Sequence, residues 1–135
     1  MFGSWNVKPS FRLSMVVLMD SISYLTPEEA GACVVSGSHG GLSSARYALT
    51  ITLAGVVFND AGIGKDNAGI AGLTLLDTVH LPAVAVAHTS ARIGDAADTW
   101  EHGIVSAINQ TAATRGVQIA MSVQEAVTHM LRHAI

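Results

Sequence analysis

The sequence predicts an α/β domain, a three-layer sandwich of Rossmann-like or flavodoxin-like type around a mostly parallel sheet of four or five strands. Three observations predict it. Short Val-rich apolar runs recur along the chain, each too brief for a helix. Segments with helical start and stop signals lie between them. The runs are apolar at successive positions rather than at alternate ones, as in strands covered on both faces. The chain has 135 residues, enough for a single domain over 13–135 preceded by an arm over 1–12. Gly3, Pro9 and the lack of any period mark the arm, and Trp5 and Phe11 give it apolar groups with which to dock.

The elements follow in order. Ser14–Met19, with Val16 and Val17, reads as the first strand. Thr26-Pro27-Glu28-Glu29 supplies an N-cap, a proline at the first helical position and acids in the first turn, and Gly31 stops that short helix. Ala32–Ser36 is the second strand, Gly37 to Gly41 a tight loop and Leu42–Leu49 a helix. Ala54–Phe58 is the third strand, followed by a loop over 59–65 and a helix over Asp66–Thr78 carrying Ile70, Leu73 and Leu76 on one side. Pro82 opens the fourth strand, Ala83–Ala87. Beyond the loop His88–Gly94, the stripe Trp100, Ile104, Ala107, Ile108 and Thr111 predicts one long helix over Ala96–Arg115, stopped by Gly116. Val117–Ala120 reads as a short fifth strand, and Ser122 with Glu125 as the capping box of a last helix.

Composition narrows the function. Only 13% of residues are charged, against about 25% in an average soluble domain. A small domain has much surface for its volume and needs polar cover, so part of this surface is expected to be buried in a homo-oligomer. The net charge is −3 and the seven Lys and Arg are scattered from Lys8 to Arg132, which argues against nucleic acid as a partner. A lone Cys33 forms no internal disulfide and suits a reducing cytoplasm. No apolar stretch reaches membrane-spanning length, so no membrane partner is expected. Asp20 ends the run Leu13–Met19 with no small-residue cleavage site after it, so that run is a strand and not a signal peptide.

Ligands of open parallel sheets bind beyond the carboxyl ends of the strands. The expected strand-end loops are polar here, and Asp60, Lys65, Asp66, Arg92, Asp95 and Asp98 gather on the last two or at the helix start beyond them. The glycine loop at 37–41 opens a helix, so the amides of Gly40 and Gly41, with the Ser38 hydroxyl, are candidates for holding an anion. Its spacing is neither a P-loop nor G-x-G-x-x-G, and the plainer reading is a tight turn. Lys65 is a candidate anchor or base, or otherwise a solvated lysine. Arg92 offers a planar fork for a carboxylate, or a salt bridge to Asp95 or Asp60. Asp95 itself reads as the cap of the helix after it.

His39 and His88 are candidate general acids or bases, with Asp60 holding the ring tautomer; the plainer reading is a hydrogen bond between loops. The same side chains with Asp60 or Asp95 are the lesser candidate for a divalent metal, without H-x-x-x-H or C-x-x-C spacing to support it. No cofactor is expected. Asn59 is a candidate oxyanion donor. Ser90 and Ser38 are candidate substrate-binding or nucleophilic hydroxyls, although neither sits in a G-x-S-x-G elbow. Cys33 lies within a strand and reads as a buried, inert thiol. His80, His102, His129 and His133 fall on helices or their ends and read as surface or interface residues.

Together these residues suggest a small-molecule enzyme (a hydrolase, lyase or isomerase) acting on a small anionic metabolite. His39, Asp60, Lys65 and His88 would be catalytic, with Ser38, Gly40, Gly41, Asn59, Ser90 and Arg92 binding the substrate. The alternative is a non-catalytic ligand-binding module, or a subunit of a hetero-oligomeric enzyme.

Overall fold

The computed structural model describes residues 10–13 and 15–132. Six strands form one sheet in the order in which the chain makes them: β1 (Ser10–Leu13), β2 (Val16–Met19), β3 (Cys33–His39), β4 (Gly55–Asn59), β5 (Ala83–Val86) and β6 (Val105–Ile108). Strands β2 to β5 are parallel, and β1 and β6 close the two edges antiparallel. Register explains why these strands are apolar throughout. Val17, Val34, Val56 and Ala83 stand side by side in one row, and Leu18, Val35, Val57 and Val84 in the next. Successive side chains point to opposite faces, so the first row enters one core and the second the other.

The expected three-layer α/β sandwich is therefore present. Helices α1 (Leu42–Ala48) and α2 (Ala71–Asp77) cover one face with Ala45, Ala48, Leu73 and Leu76. Helices α3 (Ala96–His102) and α5 (Val123–Arg132) cover the other with Ala96, Val123, Ala126, Val127 and Met130. Short α4 (Gln110–Thr114) packs at one edge against α2 and β5. The three parallel crossovers all lie over the α1–α2 face, because crossovers of one hand between successive neighbours must.

The chain changes face after β5. Residues 87–95 run along the carboxyl edge of the sheet, and α3 packs against β2 and β3. Three bonds fasten this belt: Asn59 Nδ2 donates to the Ala91 carbonyl (3.0 Å), the Gly94 amide to the Gly37 carbonyl (2.7 Å), and the Ala96 amide to Asp20 Oδ1 (2.9 Å). The passage is tight enough that a Cβ on Gly37 would lie 2.6 Å from the carbonyl carbon of Gly94.

Several elements differ from expectation. β3 runs through His39, so Gly37 and Ser38 belong to the strand; a register shift after Val35 lets it continue beside β4. The long helix expected over 96–115 is α3, β6 and α4. Gly103 takes an extended conformation (φ −62°, ψ 136°) and ends α3. The residues after it, Ile104 to Ile108, include three β-branched side chains; Val105–Ile108 pair with β5, and Ile104 bridges Ser122. The strand expected at 117–120 is a turn, with Ala120 left-handed at φ 77°. The helix expected from Asp66 starts at Ala71, because Asp66 and Asn67 are left-handed. The helix expected after Thr26 is a single 3-10 turn, Pro27–Glu29, closed by the Thr26–Glu29 capping box. Of the expected arm, residues 10–12 pair as part of β1, and Trp5 lies outside the described residues.

Candidate functional site

β4 and β5 end side by side, and their outgoing loops leave for opposite faces of the sheet. Asp60 stands in that gap. Its amide extends the ladder to the Val86 carbonyl (2.8 Å), which fixes the backbone and turns the side chain into the space between the loops. The carboxylate is buried, with the residue only 4% exposed. Oδ1 accepts from the amides of Gly62 (2.7 Å) and His88 (3.0 Å), and Oδ2 accepts from the Ser106 hydroxyl on β6 (2.7 Å). The Nδ1 atom of His88 lies 3.4 Å from Oδ1. Burial on its own raises the Asp60 pKa, but the Ser106 hydroxyl, the two amides and the His88 charge outweigh it and hold the group below the usual carboxylate range. Asp60 is thus an anion at neutral pH.

The His88 ring lies over Gly62 with 56% of its side chain exposed. Its second ring nitrogen, Nε2, has no hydrogen-bond partner among the described residues. The ring borders a shallow, open cavity of about 320 Å³ shared with Ser90, Arg92 and Asp98. The Arg92 side chain is 79% exposed, with its guanidinium 3.6 Å from Asp95, as the salt-bridge reading anticipated. Asp95 also caps α3 by accepting from the Asp98 amide (2.9 Å). The Arg92 amide and the His102 ring bind Asp98 and hold its carboxyl below the usual range.

Other candidates have mainly structural partners. Asn59 is fully buried, accepts from the Ala61 amide (2.8 Å) and gives its own amide to the Ala91 carbonyl; it staples the two loops. Ser90 donates to the Ala87 carbonyl (2.7 Å) and accepts from the Ile104 amide (3.0 Å). Ser38 accepts from the Ile22 amide (2.9 Å), which positions the turn after β2. The anion cradle expected at Gly40 and Gly41 does not form. The Gly40 amide bonds the carbonyls of Asn59 and Gly69, and the Gly41 amide bonds His39 Nδ1 (3.0 Å). A neutral His39 therefore carries its proton on Nε2. His39 makes no bond to Asp60, so of the two histidines only His88 is joined to the carboxylate.

Lys65 is exposed and makes no ion pair among the described residues. It rides on a strained loop in which Ala61, Ile63, Asp66 and Asn67 are all left-handed (φ 52°, 66°, 56° and 58°). Such a conformation in a β-branched residue like Ile63 is an outlier that persists only where neighbours impose it. Here the Ile63 amide bonds the Asp60 carbonyl (2.6 Å) and the Ile63 carbonyl accepts from Gly69 (2.8 Å). Among the described residues no three His, Cys, Asp or Glu side chains gather as a metal site. Cys33 is buried, which pushes its thiol up to about 12.

Sequence reasoning missed Ser106, because its segment was read as helix. The signal that points to it is Gly103 followed by β-branched Ile104 and Val105, which favours a strand. No helix among the described residues is long and apolar enough to cross a membrane. No family model matches the chain, and neither does any curated protein or solved structure.

Proposed function

We propose that the chain is a small-molecule enzyme in which His88, oriented by Asp60, moves a proton on a small anionic substrate met by Arg92. The observation that carries this reading is the buried, ionised Asp60 carboxylate, which binds the His88 amide and stands 3.4 Å from its ring. A carboxylate at Nδ1 favours the tautomer with the proton there and leaves Nε2 as acceptor toward the cavity. Proton transfer is common to hydrolysis, elimination and isomerisation, so the reaction class stays at that level. Arg92, on the rim of the same cavity, brings a planar fork suited to a carboxylate.

The test is a titration with a panel of small carboxylates and phosphates, read by melting temperature and by the His88 ring resonances. A binder at about a hundred times its Kd stabilises the native state by about 2.7 kcal/mol. We expect at least one carboxylate to move the His88 signals, and Arg92→Ala to abolish the shift. If the whole panel leaves His88 unmoved, the reading fails.

The openness of this cavity favours one addition: a neighbouring subunit completes the site. Among the described residues nine large apolar side chains are exposed, among them Leu42 at the start of α1 and Leu49 at its C-cap. Sedimentation equilibrium is expected to show an oligomer at micromolar concentration. A monomer throughout that range would remove this addition while leaving the proton-transfer reading in place.

A further inference from the structure

We infer a second ligand site, at the edge where the parallel strands begin, for a monoanionic carboxylate with an apolar body. A groove of about 790 Å³ opens there, away from Asp60 and His88, within the range of about 300–1,000 Å³ usual for small-molecule sites. Its walls include Leu53, Pro82 and Leu131, and its charged and titratable members are Arg115, Arg132 and His80, with no Asp or Glu in the lining. Two of the chain's five arginines thus meet at one apolar groove in a protein of net charge −3.

Neither arginine is matched by a carboxylate among the described residues. Arg115 is half-buried and gives one guanidinium nitrogen to the Met130 carbonyl (3.3 Å). A guanidinium has five N–H donors, so most of its fork is left to a ligand. Arg132 is exposed. Together they supply charge complementarity for an anion, and the apolar walls supply burial for a hydrocarbon body.

The groove also selects the kind of anion. Thr128, Leu131 and Arg132 belong to the end of α5 and line the same space. The carbonyl end of a helix carries partial negative charge and disfavours a second formal charge on the ligand. A singly charged carboxylate fits better there than a phosphate monoester.

Octanoate is the probe, with acetate and octanol as controls, followed by the methyl resonances of Leu53 and Leu131 in the full chain. Octanoate is expected to shift both and to bind at least tenfold more tightly than either control, with Arg132→Gln weakening it at least threefold. Arg115→Gln should do the same; if loss of the Met130 bond unfolds that variant, exposed Arg132 carries the test alone. Equal binding of octanol would show that the arginines are not used, and equal binding of acetate that the apolar walls are not. Either result overturns the inference. So would unmoved methyls, or shifts that follow protein concentration instead of octanoate, since the occupant would then be a second copy of the chain.

Discussion

A carboxylate taken out of water is stable only when its lone pairs are met. Asp60 meets that condition with two amides and one hydroxyl drawn from three separate stretches of chain. In Asp60→Asn one carboxylate oxygen becomes an NH₂ group, and the charge-assisted bonds lose strength. We expect a loss of about 1–3 kcal/mol, measured by urea unfolding at neutral pH. The sign with pH follows from the lowered pKa. A carboxyl that holds its proton less tightly when folded adds stability above the unfolded value of about 3.9 and loses it as pH falls through the folded value. Asp77 acts in the same sense: burial opposes its ionisation, but the Thr111 amide and hydroxyl and the Gln110 amide outweigh it. Acid unfolding of the parent should therefore be steeper below pH 4 than that of Asp60→Asn. That Asp60 and His88 come together was legible in part, because both fall on loops expected after strand runs, but the sequence left His39 equally open as the partner of Asp60. Ser106 was not, because a 3.6-residue stripe across Gly103 imitates a helix.

At the scale of elements, the ambiguous stretch is 96–115, and Asn109 settles it. Its side chain is buried, donates to the Leu73 and Leu81 carbonyls (3.1 and 2.9 Å) and accepts from the Ala83 and Ala112 amides (3.1 and 2.9 Å). One residue thus joins the end of β6, the cap of α4, the start of β5 and helix α2. Asn109→Ala would leave four buried backbone groups without that partner and should cost at least about 3 kcal/mol. In urea this lowers the midpoint by on the order of 1 M or more. A change below about 0.3 M, which at an m-value of about 2 kcal/mol/M is the size of an ordinary surface substitution, would contradict the staple. The central strands were readable because both faces are buried, so their runs are apolar without interruption. β6 was not, since Ser106, Ala107 and Ile108 are only half-buried and the run alternates with polar and small residues. Likewise, the glycines at 37–41 signalled a turn, whereas Gly37 answers the close passage of Gly94, a contact between distant parts of the chain.

At the scale of the whole molecule, the layers were legible and the strand order was not, because hydrophobic patterning says which faces are buried and nothing of which strand lies beside which. The order is sequential and never reverses. The gap occupied by Asp60 arises instead from the change of face after β5, and the belt over 87–95 carries His88 and Arg92 into it. The larger groove lies at the opposite edge, where the sequence shows few charges between the strands and gives no local signal.

The sequential order also bears on how the protein is made. Each strand leaving the ribosome finds its partner in the strand synthesised just before it, and the first crossovers cover one side of the sheet as they emerge. The other side waits for α3 and α5. At about 5–20 residues per second, Val35, Val57 and Val84, which are fully buried in the folded domain, stay uncovered for roughly 2–8 seconds while residues 96–135 are made. A fragment ending at Asp95 freezes that moment. It is expected to pair its parallel strands and then aggregate through the uncovered side, as light scattering on dilution from urea would show. A fragment that stayed clear and monomeric would mean that the late helices are not what keeps the nascent sheet soluble.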